Sequence, residues 1–142
     1  MLYAASYAPP GVWHSADYGQ TWEKNETGPH VHPAFAVLWD SANQCLWAGT
    51  EAGLLFWPTG VSAWHIVPEL DGSVFDLVLE EDGGLYAVVA DQGLFRYRPG
   101  EGWTCLYATS RALAIGVSPG GEHLFLGTAG DGVWVSHDAG EN

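Results

Sequence analysis

The stretch Ser15-Ala16-Asp17-Tyr18-Gly19-Gln20-Thr21-Trp22 directly follows the apolar segment Gly11-Val12-Trp13-His14. Aspartate and serine side chains hydrogen-bond to nearby backbone and fold such stretches into tight turns. Gly19 allows the positive φ that a hairpin turn needs, and Trp22 can cover the turn with a large ring. A partial copy, Ser136-His137-Asp138-Ala139-Gly140-Glu141-Asn142, begins 121 residues later (15 to 136). The two copies predict equivalent turns in a repeated unit.

Three further elements repeat with a period of about forty residues. A Leu-aromatic-Ala element or a close variant occurs at Leu2-Tyr3-Ala4, Leu46-Trp47-Ala48, Leu85-Tyr86-Ala87 and Leu124-Phe125-Leu126. A glycine followed by two bulky apolar residues occurs at Gly11, Gly53, Gly93 and Gly132, and an isolated tryptophan after a turn occurs at Trp22, Trp64 and Trp103. Because all three keep the same order, the chain is a tandem repeat.

Each unit consists of short strands separated by turns. In the third unit we predict strands over 73–79, 85–90, 94–98 and 103–107, each bounded by Gly, Pro or Asp. No segment has a sustained helical period. Four short strands in about forty residues are typical of a β-propeller blade. We therefore predict an all-β fold of about four antiparallel, four-stranded blades, which is half of a propeller or a fragment of a larger ring.

The blades divide a single module, residues 1–142, as follows. With the strands of a blade named A to D in chain order, residues 1–27 supply strands B to D of a first, partial blade. Full second and third blades are predicted over 28–69 and 70–109. Residues 110–142 then supply strands A to C of a fourth, partial blade.

The first turn segment matches the pattern Ser-x-Asp-x-Gly-x-Thr-Trp at every fixed position. It resembles the Asp-box, or bacterial neuraminidase repeat, found in the C-to-D hairpin of propeller blades. The resemblance and the turn chemistry together give a structural role to Ser15, Asp17, Gly19, Thr21, Trp22, Ser136, Asp138 and Gly140. One carboxylate in a tight turn lacks the several oxygen ligands that calcium needs, so no metal is predicted there. The second and third units depart from the pattern, with Pro58-Thr59-Gly60 and Pro99-Gly100-Glu101-Gly102 in its place.

The resemblance implies that a ligand binds on the other loop face, which the D-to-A and B-to-C loops form. Candidate binding residues on that face are His30, His32, Glu51, Asp71, Asp91, Arg111 and Asp131, and Tyr7 lies in the first B-to-C loop. His30 and His32 could pair on a metal, but no third ligand follows by spacing, so a surface loop is the alternative. Glu51, Asp91 and Asp131 recur at the same position of successive blades, and three roles fit them. They could form the turn, act as the acid and base of glycoside hydrolysis, or form an acidic rim that binds a neutral sugar or a basic peptide.

The charge balance restricts the class of partner. Seventeen acidic residues against four basic ones give a formal net charge of −13, which repels nucleic acid and anionic membranes. No apolar run is long enough to span a bilayer, and the N-terminus lacks the pattern of a signal peptide. Cys45 and Cys105 form no close-spaced motif, and we predict two buried free thiols, which slightly favours a cytoplasmic location.

The leading functional hypothesis is a non-catalytic propeller module that binds a protein or a glycan. The alternatives are part of a glycoside hydrolase that lacks its full catalytic set, and a small self-assembling propeller protein. Sialidase chemistry, as the resemblance implies it, needs an arginine cluster that three arginines cannot supply. No Ser-His-Asp elbow or phosphate-binding glycine loop is present, so no catalytic residue and no cofactor are predicted. The incomplete terminal blades predict a homodimer that completes a ring, with Trp13 or Trp134 near the interface.

Overall fold

The computed structural model describes residues 1–25 and 32–141, and every regular element in those ranges is a β-strand. The strands form four antiparallel sheets in which neighbours along the chain pair with each other. The first sheet contains β1 (Leu2–Ser6), β2 (Gly11–Ser15) and β3 (Glu23–Lys24), and the second contains β4 (Ala34–Asp40), β5 (Cys45–Thr50), β6 (Gly53–Pro58) and β7 (His65–Ile66). The third contains β8 (Val74–Leu79), β9 (Leu85–Val89), β10 (Gly93–Arg98) and β11 (Gly102–Ala108), and the fourth contains β12 (Ala112–Val117), β13 (Leu124–Thr128) and β14 (Val133–Ser136).

The turns between the strands use the residues that the sequence marks as turn formers. Gly53 and Gly93, the glycines that precede two apolar residues, have φ of 124° and 122° and open the C strands β6 and β10. A side chain is strained at these angles, so the glycines fix where each hairpin turns. The four strands of the third unit agree with the predicted ranges to within one residue at either end.

Two compact units divide the chain, Met1–Val74 and Phe75–Asn142. In the first unit, β4 packs against β1, so the inner strand of the second sheet covers the first sheet. The core consists of buried side chains from both sheets, namely Val12, Ala34, Leu46 and Ala48, with Tyr3, Val37, Trp39, Trp57 and Trp64 packed around them. Large aromatic rings supply much of the buried apolar area, which drives the folding of these short strands.

The second unit repeats this arrangement, because β12 packs against β9. Strand β9 is buried at all five positions, as expected for a strand covered on both faces. The core consists of Tyr86, Val88, Leu94, Ala112, Ile115, Leu124 and Leu126. Asp76 on β8 also ties the two sheets of this unit together, since its Oδ2 accepts a hydrogen bond from the Ile115 amide at 2.9 Å.

The all-β prediction and the incomplete first and last sheets are confirmed, with three, four, four and three strands in the described residues. The prediction that both thiols are buried is wrong: Cys45 is buried, but Cys105 is exposed. Cys105 lies on β11, the edge strand of its sheet, which has no fully buried position. Over residues 1–25 and 32–141 the structure has no helix long and apolar enough to cross a membrane.

Candidate functional site

The segment 15–22, which resembles an Asp-box, forms a hydrogen-bonded turn between β2 and β3. The Ser15 hydroxyl donates to Asp17 Oδ1 at 2.8 Å and accepts from the Gly19 amide at 2.8 Å. Thr21 donates its amide to Asp17 Oδ1 at 2.9 Å and its hydroxyl to Asp17 Oδ2 at 2.6 Å. These hydrogen bonds from Thr21, followed by that from Ser15, lower the pKa of Asp17 to about 2. Both carboxylate oxygens therefore accept hydrogen bonds inside the turn. The Trp22 ring lies over Gly19, 3.8 Å from the position that a Cβ on this glycine would take.

The second Asp-box-like segment, which starts at Ser136, begins the same turn. The Ser136 hydroxyl donates to Asp138 Oδ1 at 2.7 Å and accepts from the Gly140 amide at 2.8 Å. Ala139, like Tyr18 at the equivalent position, has a positive φ. The two segments thus fold alike although only the first contains the Thr-Trp pair. Their geometry supports a role in shaping the hairpin.

On the predicted ligand face of the first unit, Tyr7 and Glu51 both contact the chain around the start of β4. The Tyr7 ring is 69% exposed and its centroid lies 6.2 Å from that of Phe35. The Glu51 amide donates to the Pro33 carbonyl at 3.0 Å, and the Glu51 carbonyl accepts from the Ser73 hydroxyl at 3.1 Å. The backbone of this loop is therefore held on both sides, and the Glu51 side chain faces solvent.

Of the other three predicted binding residues of this unit, two are exposed and one lies outside the described residues. His32 and Asp71 are both on the surface. His30 lies outside the described residues, so the predicted His30–His32 pair is not placed. Among the residues described, no group of three or more His, Cys, Asp or Glu side chains is arranged to hold a metal ion.

On the same loop face of the second unit, the structure brings Arg111 and Asp131 together. Arg111 Nη1 donates to both carboxylate oxygens of Asp131 at 2.9 Å, and both side chains are about half exposed. An exposed pair of this kind contributes little stability, about 0–1 kcal/mol, and its polar atoms stay accessible to a ligand. Asp91 is exposed and has a φ of 60°, a conformation that aspartate tolerates in turns. The three recurring carboxylates, Glu51, Asp91 and Asp131, therefore lie in three different environments.

A cavity of about 630 Å³ lies on the opposite loop face of the second unit. The turn from β8 to β9, the turn from β12 to β13 and Ala139 of the second Asp-box segment border it. In its wall, Arg96 donates to Glu80 through Nε at 2.8 Å and Nη2 at 2.6 Å. Each of these two side chains is only 8% exposed. This is a buried, bidentate ion pair.

The turn from β8 to β9 holds Glu80 in place. The Glu80 amide donates to the Gly84 carbonyl at 2.8 Å, and the Gly84 amide donates to Asp82 Oδ1 at 3.0 Å. A Cβ on Gly84 would collide with the Glu80 carboxylate, so only glycine leaves room for it. Burial, followed by hydrogen bonding to Glu80, raises the pKa of Tyr86, whose ring lies 5.3 Å from the Arg96 guanidinium.

Sequence reasoning missed this cluster. It placed Arg96 on a strand, away from the ligand face, and assigned Glu80 to a turn sixteen residues earlier. The available indication was a charged residue between Phe95 and Tyr97 on a strand whose neighbours belong to the core. A buried arginine needs an acidic partner, and only the strand register identifies which acid that is.

Comparison with known proteins shows the fold. No protein-family model and no curated protein matches the sequence. Solved structures do match: an ancestral GH74 enzyme superposes with a TM-score of 0.78 at 21% identity, over 99% of this chain and 21% of the enzyme. The four sheets are blades of the β-propeller type. At this identity the likeness shows the fold alone.

Two further structures share the blades. One is the extracellular domain of a protein described as a hybrid two-component system of B. thetaiotaomicron, with a TM-score of 0.70 at 19% identity, over 94% of this chain and 19% of that one. The other is the computationally designed Ika4 protein, with a TM-score of 0.69 at 11% identity, over 96% of this chain and 84% of the design. This chain thus spans about a fifth of the GH74 enzyme and of the two-component protein, and most of the designed protein.

Proposed function

We propose that the chain is a non-catalytic β-propeller module that recognises a glycan or a protein through its D-to-A and B-to-C loops. The observation that carries the proposal is the exposed Tyr7 ring, supported by Phe35, beside the firmly held Glu51 loop. A flat ring presents an apolar face that the C–H groups of a sugar or the side chains of a protein can cover. Aromatic anchors dominate many binding surfaces.

Of the two ligand classes, the surroundings of Tyr7 favour a neutral glycan. Glu51 and Asp71 are exposed in the same unit and on the same loop face, and carboxylates accept hydrogen bonds from sugar hydroxyls. In the second unit, Arg111 and Asp131 place donors and acceptors on the D-to-A and B-to-C loops of that unit. A net charge of −13 disfavours an acidic glycan.

A glycan array tests this proposal, with the full chain and two tyrosine variants as probes. Tyr7→Ala should lose the array signal by about tenfold or more, as expected for removing a central aromatic contact. Tyr18→Ala is the matched control, because Tyr18 is 94% exposed but lies on the Asp-box turn. Equal binding by both variants, or no binding to any neutral glycan, would count against the proposal.

The alternative, part of a glycoside hydrolase, is tested with a panel of chromogenic glycosides. The module is expected to show no turnover. Turnover that disappears in Glu51→Gln, Asp91→Asn or Asp131→Asn, while folding is kept, would favour the enzyme instead. Because these substitutions remove charge without changing side-chain size, a loss of activity would point to a chemical role.

The proposed assembly is a homodimer in which a second copy covers β14. Its supporting observation is the edge position of this strand, which pairs only with β13 among the described residues. Trp134 on β14 is 51% exposed, next to exposed Val133 and Val135, whereas Trp13 lies on the central strand of its sheet. Exposed apolar edges favour association. Trp134 is therefore the better of the two predicted interface tryptophans.

Light scattering tests the dimer. The unmodified chain should have twice the monomer mass at micromolar concentration, and Trp134→Ser should shift it toward the monomer. Ile66→Ser is the control, because Ile66 is 59% exposed on β7, the edge strand of another sheet. A well-folded monomer of the unmodified chain would contradict the assembly.

A further inference from the structure

The cavity of about 630 Å³ in the second unit is bordered by the turn from β8 to β9 and the turn from β12 to β13. We propose that it binds a lysine- or arginine-bearing peptide segment of a partner protein. The proposal is independent of the glycan-binding function, because it involves other loops and another ligand. The volume of the cavity falls in the range of about 300–1,000 Å³ that is usual for ligand sites.

The charge of the cavity favours a cation. Glu81, Asp82 and Glu122 line it and are exposed, and none of them takes part in a salt bridge among residues 1–25 and 32–141. The cation in the lining, Arg96, is neutralised by Glu80. Three carboxylates thus have no salt-bridge partner in the described part of the chain, whose net charge already attracts cations.

The walls of the cavity suit a long side chain with an apolar stem. Val78, Leu79 and Val117 line it together with the acidic residues. Lysine and arginine cover apolar surface with their methylene groups and keep the charged end among polar groups. A metal ion would gain nothing from these apolar walls, which favours an organic cation.

An unpaired donor in the wall favours a peptide over a simple amine. Two nitrogens of Arg96 bind Glu80, but the third, Nη1, is buried and has no hydrogen-bond partner among the described residues. Arg96 is 7% exposed and lines the cavity. A buried donor without an acceptor costs free energy. A peptide carbonyl supplies a neutral acceptor, whereas a ligand carboxylate would be repelled by the adjacent Glu80.

The test is an NMR titration of the isotope-labelled full chain with acetylated, amidated tetralysine. Spermine, which carries a similar positive charge without carbonyl groups, and tetraglutamate are the comparison ligands. Tetralysine should bind saturably and shift the amides of residues 78–82, 117–118 and 120–122, and spermine should bind more weakly. Tetraglutamate should not bind.

Two exposed glutamates provide the matched variants. Glu122→Lys should weaken tetralysine binding by about tenfold, since it replaces an attractive charge in the cavity with a repulsive one. Glu69→Lys makes the same charge change away from the cavity and should weaken binding less than about twofold, an effect of net charge alone. The thermal midpoint of each variant shows that it is folded.

Four results would overturn the proposal. They are the absence of saturable binding, shifts confined to other loops, equal weakening by both variants, and binding of spermine as tight as that of tetralysine. None of these outcomes bears on the glycan array, so failure here and failure of the proposed function are distinguishable.

Discussion

Replacing Arg96 tests how the interior of the second unit is held together. Glu80 and Arg96 are each 8% exposed and joined by two hydrogen bonds of 2.6 and 2.8 Å. Arg96→Met keeps most of the side-chain stem and leaves the Glu80 carboxylate buried without its partner. Removing one member of a buried pair costs about 3–5 kcal/mol, so we expect the free energy of unfolding to fall by that amount.

The double variant separates the pair from its surroundings. In Arg96→Met/Glu80→Leu no charge is left buried, and apolar replacements of similar volume are often neutral or stabilising. We therefore expect the double variant to recover about 2–4 kcal/mol of the loss. With Glu80→Leu as the second single variant, a double-mutant cycle gives the coupling energy of the pair. Urea unfolding followed by tryptophan fluorescence gives the four free energies of unfolding, those of the unmodified chain, the two single variants and the double variant.

Arg98→Met is the matched control two residues along the same strand. The Arg98 side chain is 42% exposed, and its contacts with Glu101 and Glu141 are both 3.8 Å. Surface pairs of this kind contribute about 0–1 kcal/mol. If Arg96→Met costs no more than Arg98→Met, or if the double variant is as unstable as the sum of its single changes, the buried pair does not act as described.

The remaining predictions concern single side chains. The lowered pKa of Asp17, about 2 against 3.8, means that its ionised form stabilises the fold fully above about pH 4, and that this contribution is lost as the pH falls toward 2. Asp17→Asn should therefore lose less stability over that range in acid unfolding. Ellman's reagent should modify exposed Cys105 alone in the native chain and both thiols in denaturant, because burial and then Asp40 raise the pKa of Cys45 to about 11. A Cβ on Gly49 would lie 2.6 Å from a backbone carbonyl oxygen, so Gly49→Ala should cost about 1–3 kcal/mol in urea unfolding and Gly116→Ala much less.

Local chemistry explains why so much of the scaffold is predictable from the sequence. The segment at 15–22 encodes its turn within eight residues, and the side-chain hydrogen bonds of that turn join residues that are close in sequence. The strands over 74–108 follow from apolar runs bounded by Gly, Pro and Asp, because short-range turn chemistry sets the hairpins. The Arg111–Asp131 contact also agrees with placing both residues on one loop face.

Features that depend on register or on neighbouring sheets were not predictable. Glu80 meets Arg96 because β8, β9 and β10 pair in one particular register, which no local pattern specifies. Exposure of Cys105 depends on β11 being an edge strand without a neighbour over it. The cavity forms where two turns from different sheets lie side by side. The residues of each turn do not indicate which other turn is its neighbour in space.

The most direct test of the account is to map where a bound glycan contacts the chain. With a neutral glycan selected on the array, NMR titration of the labelled chain should shift the amides of Tyr7, Phe35 and Glu51. The turn at 15–22 should be unaffected, because the Asp17 carboxylate and the Ser15 hydroxyl form hydrogen bonds within the turn. Shifts centred on that turn, with the Tyr7 and Glu51 loops unchanged, would contradict recognition through the D-to-A and B-to-C loops.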